Sequence, residues 1–233
     1  MNDHRLLACA SLCVRGKTAD VGTDHGYLPV YLVEQGIAER CIACDINEAP
    51  LASAKENIAA AGLSDRIDTI LSDGLDNIPP EGIRNVVIAG MGGELIADII
   101  SRAEWLREGV NLVLQPMTKW DHLREYLAQN GFEVLEEKAC REGKFVYSVI
   151  RAVWTGRARE EKCTLAYLYG GRVSPDTEEG RAYLLRQAQR LEAVGRGVAS
   201  SPDRAEDAER YLSAAAELRQ RAEIQETINT DMR

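Results

Sequence analysis

The chain has 233 residues, with 28 basic and 37 acidic side chains and a formal net charge of -9. This length suits one domain of roughly 150 residues with a smaller addition. Apolar residues make up 45% of the sequence, which excludes a disordered or fibrous protein. The first residues include no basic segment followed by an apolar run, and no later apolar stretch reaches the roughly 18 residues of a membrane span. We therefore expect a soluble, cytoplasmic protein that does not contact a membrane.

Six cysteines raise the question of a metal or redox site, because Cys41 and Cys44 have the C-x-x-C spacing. Both lie in an apolar run that predicts a strand, where residues three apart point to opposite faces. No second Cys or His pair follows at the spacing of a zinc site. We expect no metal and no redox pair, and we interpret the other cysteines as small core residues of a reducing compartment: Cys9, Cys13, Cys140 and Cys163.

Apolar runs typical of strands alternate with helix-like stretches over residues 1–154. Strands are predicted at 18–21, 41–44, 67–71, 85–89 and 111–114, and helices at 28–35, 49–61, 94–102 and 121–130. Such alternation indicates βαβ units, and therefore an α/β fold whose mostly parallel sheet carries helices on both faces. Two further strand-like runs, 132–136 and 145–154, are separated by a turn-rich segment. They predict an antiparallel hairpin at the sheet edge.

Beyond residue 154 the pattern becomes helical, and we expect a second domain at 155–233 after a first domain at 1–154. Ser174-Pro175-Asp176 and Ser201-Pro202-Asp203 each combine a capping Ser, a Pro and an early acid, which predicts two helix starts. Apolar or small residues then recur at spacings of three and four, which predicts an antiparallel, coiled-coil-like pair. The stripes are Leu184, Ala188, Leu191, Gly195 and Val198, and Ala208, Tyr211, Ala215, Leu218 and Ala222.

The helical part is the less acidic of the two. Residues 1–154 carry 15 basic and 23 acidic side chains, whereas residues 155–233 carry 13 and 14. The net charge of -9 therefore divides into -8 and -1. A hairpin for packing or oligomerisation and a hairpin that binds a partner both remain open interpretations, and we expect a monomer or a weak dimer.

Acidic residues follow three of the predicted strands, at the edge where an open parallel sheet binds its ligand. Asp20 lies just before the turn between Gly22 and Gly26, and Asp24 lies within that turn. A carboxylate there would repel the pyrophosphate of a dinucleotide, and the spacing departs from G-x-G-x-x-G. A cofactor without phosphate fits better. S-adenosylmethionine is such a cofactor, because its ammonium, sulfonium and ribose hydroxyl groups can all be satisfied by carboxylates.

Two further acids suit the remainder of that cofactor. Asp45 follows Asp20 by 25 residues at the next strand end, where a carboxylate can accept both ribose hydroxyls. Asp73 follows the third strand and is placed to accept a hydrogen bond from the adenine amino group. A single Asp at a strand end is commonly a helix cap or turn former, so the successive positions carry more weight than any one of them.

The segments 20–29 (DVGTDHGYLP), 88–93 (IAGMGG) and 114–116 (LQP) resemble those of the bacterial tRNA (adenine(22)-N1)-methyltransferase family of the TrmK type. The resemblance implies a Rossmann-like class I methyltransferase domain followed by a helical, coiled-coil-like C-terminal domain. It also implies transfer of a methyl group from S-adenosylmethionine to N1 of adenine 22, in the D-arm region of tRNA.

The resemblance assigns site residues by position. The methionine part of the cofactor would be surrounded by Asp20, Gly22, Asp24, His25, Gly26 and Tyr27, the ribose and adenine edge by Asp45 and Ile46, the adenine by Asp73, Gly74 and Leu75, and the methyl group by Ala89, Gly90 and Met91. Related base methyltransferases often have Asn/Asp-Pro-Pro-Tyr at the fourth strand, where this chain has Gly90-Met91-Gly92-Gly93. Tyr27 and Met91 are therefore the candidates for stacking the target base. Asp24 is the nearest candidate for accepting its proton, and His25 is a second one.

The net charge of -9 means that an RNA partner would have to be held by local basic clusters. The candidates are Arg5, Arg15, Lys17, Lys119, Arg124, Lys138, Arg141, Lys144, Arg181, Arg186 and Arg190. Two alternatives stay open on sequence alone. One is an S-adenosylmethionine-dependent methyltransferase of a small molecule or protein, which the acidic balance favours. The other is a non-catalytic nucleotide-binding scaffold whose hairpin docks a partner.

Overall fold

The predicted alternation of strands and helices is present in a computed structural model, which describes residues 1–230. The side chains of residue 202 and of residues 224–230 are outside that description, as are residues 231–233 at the end of the predicted second domain. Seven strands form one sheet. They are β1 (Lys17–Val21), β2 (Cys41–Asp45), β3 (Ile67–Leu71), β4 (Ile83–Gly92), β5 (Asn111–Thr118), β6 (Phe132–Glu142) and β7 (Phe145–Trp154).

The strand order is β3-β2-β1-β4-β5-β7-β6. The first five strands pair in parallel, and β7 pairs antiparallel with both β5 and β6. The parallel sheet with an antiparallel hairpin at its edge is thus confirmed. After β3 the chain crosses to the other side of β1 and adds β4 there, so the order of strands switches between β1 and β4. Their carboxyl ends meet at the centre of the sheet, where such folds bind ligands.

Eight α-helices are present in residues 1–230: α1 (His4–Leu12), α2 (Tyr27–Glu34), α3 (Glu48–Ala60), α4 (Gly93–Arg102), α5 (Trp120–Gln129), α6 (Leu165–Gly170), α7 (Glu178–Val198) and α8 (Ala205–Thr230). The four helices predicted between strands each begin one residue earlier than expected. Helix α1 was not predicted, because nine residues without a clear stripe give little periodicity. No helix among the residues searched is both long and apolar enough to cross a membrane.

Both faces of the sheet are buried, as the apolar strand sequences predict. Successive residues of β4 alternate between the two faces: Val86 and Ile88 belong to one core cluster and Val87 to the other. The two cysteines of the C-x-x-C spacing divide in the same way, with Cys44 in the first cluster and Cys41 in the second. All six cysteines are free thiols, and burial raises the pKa of Cys44 to about 12.

The C-terminal helices α7 and α8 form the predicted antiparallel pair. Leu184, Ala188, Leu191 and Gly195 of α7 are buried, as are Ala208, Ala215, Leu218 and Ala222 of α8. The predicted start of α7 at Ser174 is wrong. Its cap is Thr177, whose hydroxyl accepts a hydrogen bond from the Gly180 amide at 3.0 Å, and two glutamates follow in the first turn, where they favour the helix dipole. Ser201 precedes a short 3-10 turn that leads into α8.

A buried ion pair joins the sheet to the C-terminal helices. The side chains of Arg124 in α5 and Glu137 in β6 are both 0% exposed. The Nε and Nη2 atoms of Arg124 each donate to Glu137 Oε1 at 3.0 Å. Arg124 also donates to the carbonyl of Leu168 at 2.6 Å and to the hydroxyl of Tyr183 at 2.9 Å. The prediction that Arg124 contacts RNA is therefore wrong, because all of its polar groups are directed inward.

Loss of this pair should destabilise the whole protein. We expect Arg124→Met to lower the free energy of unfolding by about 3–5 kcal/mol, because it leaves Glu137 as an uncompensated buried charge. Arg157→Met is the matched control, since the Arg157 side chain is 84% exposed and lies 3.9 Å from Glu133; its cost should stay below about 0.5 kcal/mol.

Urea titrations measure both changes as shifts of the unfolding midpoint, provided that the slope m of free energy against urea concentration is the same for all variants. The double variant Arg124→Met/Glu137→Leu should recover much of the loss, because it removes the stranded charge. Equal midpoints for Arg124→Met and Arg157→Met would show that the buried pair does not hold the fold.

Candidate active site

A cavity of about 740 Å³ opens at the carboxyl ends of β1 and β4. This is the edge at which the sequence predicts a ligand. The walls come from the N-terminal segment, the turn after β1 and the end of β4. They consist of Met1, Asn2, Asp3, Arg5, Leu6, Asp20, Gly22, Thr23, Asp24, His25, Gly26, Tyr27, Leu28, Ala89 and Gly90.

The glycine turn after β1 has a backbone that favours glycine at two points. Gly22 and Gly26 have φ values of 78° and 69°, in the left-handed region. The Gly22 amide donates to the Cys44 carbonyl at 2.8 Å, which holds the turn against β2. A Cβ atom on Gly26 would lie 3.2 Å from the Cβ of Ala54. The turn therefore leads directly from the end of β1 into α2 and exposes backbone to the cavity.

Asp20 is the buried acid of the cavity. It lies near the end of β1 and is 6% exposed. Its pKa is raised to about 6. Burial is the main cause, a hydrogen bond with Thr23 opposes it, and the negative charge of Asp45 adds to it. A carboxylate held at such a cost at a cavity wall is suited to bind a cationic ligand group.

Asp24, His25 and Tyr27 lie at the exposed mouth of the cavity. The side chain of Asp24 is 82% exposed, and its Oδ2 atom lies 3.4 Å from His25 Nε2. The rings of His25 and Tyr27 are 5.3 Å apart between centroids. Tyr27 is 53% exposed. These three side chains can therefore meet a second molecule that enters the cavity from solvent.

The end of β4 forms the opposite wall through Ala89 and Gly90. The strand is irregular here, since its register with β5 shifts between Ala89 and Met91. The Gly90 amide donates to Gln115 Oε1 at 3.1 Å, and Gln115 is 0% exposed. The Met91 side chain packs against Gly22, because its Cε atom occupies the position of a Cβ there. Met91 is thus next to the glycine turn, although it is not among the residues that line the cavity.

The predicted residues after β2 and β3 do not line the cavity. Asp45 accepts a hydrogen bond from the Asn47 amide at 2.8 Å, and Ile46 is 59% exposed beside it. Asp73 is engaged by Arg102, at 3.0 Å. Gly74 has a φ of 58°, and a Cβ atom on it would lie 2.9 Å from Cγ1 of Ile99. Leu75 is 3% exposed in the core. The negative charge of Asp45 acts on Asp20 by raising its pKa, and the side chain of Leu75 packs in the core.

Helix α1 contributes to the site, although the sequence patterns do not predict this helix. Arg5 lines the cavity, and its Nη2 atom is 2.6 Å from Asp3 Oδ2. Its guanidinium also contacts Met117 Sδ at 3.4 Å and lies 5.9 Å from the Tyr147 ring centroid. Asp3 caps the helix by accepting hydrogen bonds from the amides of Arg5 and Leu6. That capping acid ahead of an apolar run was the signal available in the sequence.

The charges of the cavity fit a small zwitterionic ligand better than a phosphorylated one. Asp20 and Asp24 place carboxylates on its wall, and Arg5 places a guanidinium there. No group of three or more side chains suited to a metal ion occurs among the residues searched. The ammonium and carboxylate of an amino acid moiety would find partners of opposite charge on this wall.

Sequence comparison relates the first two thirds of the chain to methyltransferases. Residues 2–150 match a family described as a methyltransferase domain. The tRNA (adenine(22)-N(1))-methyltransferase of Bacillus subtilis (strain 168) is 33% identical over 135 residues, 58% of this chain and 57% of that protein. A putative tRNA methyltransferase of Mycoplasma pneumoniae is 31% identical over 150 residues, 63% of this chain and 69% of that protein. The matched segment thus spans less than two thirds of the B. subtilis protein.

Structural comparison extends over nearly the whole chain. Streptococcus pneumoniae Sp1610, a putative tRNA (m1A22) methyltransferase, superposes with a TM-score of 0.81 at 29% identity, covering 94% of this chain and 100% of that one. A structure of Sp1610 in complex with S-adenosyl-L-methionine gives 0.77 at 29% identity, covering 92% and 98%. The B. subtilis m1A22 tRNA methyltransferase TrmK gives 0.77 at 27% identity, covering 96% and 97%. With its domain match over residues 2–150, the chain belongs to the methyltransferase domain family.

Proposed function

We propose that this protein transfers a methyl group from S-adenosylmethionine to N1 of adenine 22 in tRNA. The observation that carries the proposal is the superposition on Sp1610 and TrmK over at least 92% of the chain, helical hairpin included. The acidic, phosphate-repelling wall of the cavity supports the same cofactor. Residues 1–154 would bind the cofactor, residues 155–233 would help to hold the tRNA, and the reaction would take place in the cytoplasm, where tRNA is found.

The chain supplies a side chain of suitable chemistry for the amino acid, ribose and adenine parts of the cofactor. S-adenosylmethionine, when bound, supplies an electrophilic methyl group. Asp20 would hold the ammonium group, and Arg5, which faces the same cavity, offers the carboxylate the guanidinium N–H groups that Asp3 does not engage through Nη2. Asp45 would accept the ribose hydroxyls, with the exposed Ile46 beside it as an apolar surface for the adenine. The backbone turn at Gly22 and Gly26 leaves room for close approach.

The reaction itself needs positioning more than acid–base chemistry. Adenine N1 carries an in-plane lone pair, so it can attack once the base is held in line. The base must first leave its stack, because N1 lies on the pairing edge. Tyr27 is 53% exposed at the cavity mouth, where its ring can stack on an extruded base. Asp24, beside it, can accept a proton from the exocyclic amine as positive charge develops on the ring.

The direct test is methyl transfer to unmodified bacterial tRNA, using labelled S-adenosylmethionine and nucleoside analysis of the product. We expect 1-methyladenosine, and we expect no incorporation into a transcript in which adenine 22 is replaced by guanine. Cofactor binding by calorimetry without any incorporation into tRNA would contradict the proposal and favour a small-molecule or protein methyltransferase.

Asp24→Ala should abolish methyl transfer without loss of the fold. The side chain is 82% exposed, so its removal costs little stability, whereas loss of a proton acceptor typically lowers turnover by about 100-fold or more. Single-turnover rates at saturating cofactor measure the effect. Asp68→Ala is the matched control, because Asp68 is 54% exposed and pairs with Arg40 at 3.3 Å, outside the cavity. Near-normal turnover of Asp24→Ala would remove Asp24 from the mechanism.

The raised pKa of Asp20 predicts opposite pH dependences for binding and stability. Cofactor affinity should fall as the pH drops below about 6, because the protonated acid cannot pair with an ammonium group. The unliganded protein should instead lose stability as the pH rises from 3.8 to about 6, because the folded state prefers the protonated acid. A shift of about two units corresponds to about 3 kcal/mol.

Asp20→Asn tests both statements at once. We expect the variant to unfold at a higher urea concentration than the wild type at pH 8, and to bind S-adenosylhomocysteine at least 10-fold more weakly. Wild type and variant should converge in stability near pH 4. A variant that is less stable at pH 8 would show that the buried carboxylate is not a strained group.

A further inference from the structure

Five residues form a cationic and aromatic patch where the sheet meets α7, and we call it the junction surface. Lys144 and Phe145 lie at the turn between β6 and β7. Trp120 begins α5, and Arg186 and Arg190 lie one turn apart on α7. The ends of β5 and β6 and the start of β7 place this surface at the edge of the sheet that also carries the cavity.

Each cation of the junction surface lies over an aromatic ring. Arg190 is 4.4 Å from the centroid of Trp120. Arg186 and Lys144 are 5.2 Å and 5.3 Å from the centroid of Phe145. Such contacts hold long side chains in place while leaving their N–H groups available. The cations are therefore partly ordered before any ligand arrives, which lowers the entropy cost of binding.

The positive charge of the junction surface is not neutralised. Lys144, Arg186 and Arg190 form no ion pair with any carboxylate whose side chain the structure describes. Burial and the neighbouring Arg186 lower the pKa of Arg190. Several other basic residues that the sequence suggested are paired with acids: Arg5 with Asp3 at 2.6 Å, Lys119 with Glu94 and Lys138 with Glu136 at 3.4 Å, and Arg141 with Glu178 at 3.3 Å.

The far end of the helical hairpin differs in this respect. Glu192 of α7 pairs with Arg219 at 2.6 Å and with Arg196 at 3.6 Å. Asp207 near the start of α8 pairs with Arg204 at 3.1 Å and with Arg210 at 3.9 Å. The cations of this end are thus satisfied within the hairpin. Among the side chains that the structure describes, helix α7 therefore carries two unpaired cations, Arg186 and Arg190, next to the sheet, whereas the arginines around Glu192 and Asp207, at the tip of the hairpin, are paired.

The junction surface is continuous with the cavity. A narrow groove beside it is bordered by Met117, Trp120, Tyr147, Arg186 and Arg190. Arg5, which lines the cavity, contacts Met117 and lies over the Tyr147 ring. A polymer that places one unit in the cavity can therefore continue directly across the junction surface. Arg15 and Lys17 do not share this path, since they lie in a separate pocket at the start of β1.

We propose that the junction surface binds the phosphate backbone of the tRNA substrate, next to the target base, and that the tip of the hairpin does not contact the RNA. This inference rests on the proposed function. A protein of net charge -9 repels a polyanion at long range, so binding depends on a few unneutralised cations at the correct place.

Charge reversal at the junction surface and at the tip of the hairpin tests the inference. Lys144→Glu/Arg186→Glu alters the junction surface, and Arg196→Glu/Arg210→Glu alters the tip by the same four charge units. We expect the junction variant to weaken binding of unmodified tRNA by about 10- to 100-fold and to reduce the slope of log K against log salt by about two. The tip variant should stay within about threefold of the wild type, with an unchanged slope.

Controls separate a failure of this inference from a failure of the proposed function. Both variants should bind S-adenosylhomocysteine as the wild type does in calorimetry, and thermal unfolding should report intact folds. Wild-type protein that neither binds nor methylates tRNA would overturn the proposed function. Wild-type protein that methylates tRNA, together with equal losses of tRNA affinity in the two variants, would overturn the junction surface alone. Arg190→Gln, which keeps a polar stem over Trp120, should lose about 10-fold in affinity and provides an independent second variant.

Discussion

The buried pair of Arg124 and Glu137 fixes the relation between the catalytic sheet and the helical hairpin. Two charges at 0% exposure are tolerated only because Arg124 is directed at once to Glu137, to Tyr183 of α7 and to the carbonyls of Leu168 and Tyr169. Hydrophobic packing alone would tolerate sliding of α7 along the sheet, whereas this set of directional bonds specifies one position. The juxtaposition of Arg186 with Phe145, and of Arg190 with Trp120, depends on that position.

Asp20 illustrates the opposite use of a buried charge. Nothing in the described fold neutralises it as Arg124 neutralises Glu137, and its pKa is accordingly raised to about 6. The fold would be more stable with an uncharged side chain there. A ligand that supplies the missing positive charge would relieve this destabilisation, so the gain on binding would include it.

The sequence predicts the sheet well because period-two burial and strand–helix alternation are local properties. The separation of Cys41 and Cys44 onto opposite faces follows from spacing alone. Side-chain partners are not local. The sequence presents Arg124 as a surface cation because its partner Glu137 is 13 residues away on another element, and nothing in the sequence shows that the core encloses the side chain of Leu75. Helix α1 is too short to show a clear periodicity, and its capping residue Asp3 marks a helix start without showing that Arg5 reaches the cavity.

The pairing of surface charges also resolves the apparent conflict between the net charge and the RNA substrate that we propose. A count of -9 treats every ionisable side chain as equally available, but most exposed arginines and lysines near the site are already bonded to acids and contribute little field beyond a Debye length. What a polyanion meets at close range is the remainder, and near the cavity that remainder is the cations set over Phe145 and Trp120. The acidic surface elsewhere opposes nonspecific adsorption of RNA. The excess of acidic side chains weakens long-range attraction, but it also favours the one orientation in which the cavity and the free cations face the nucleic acid together.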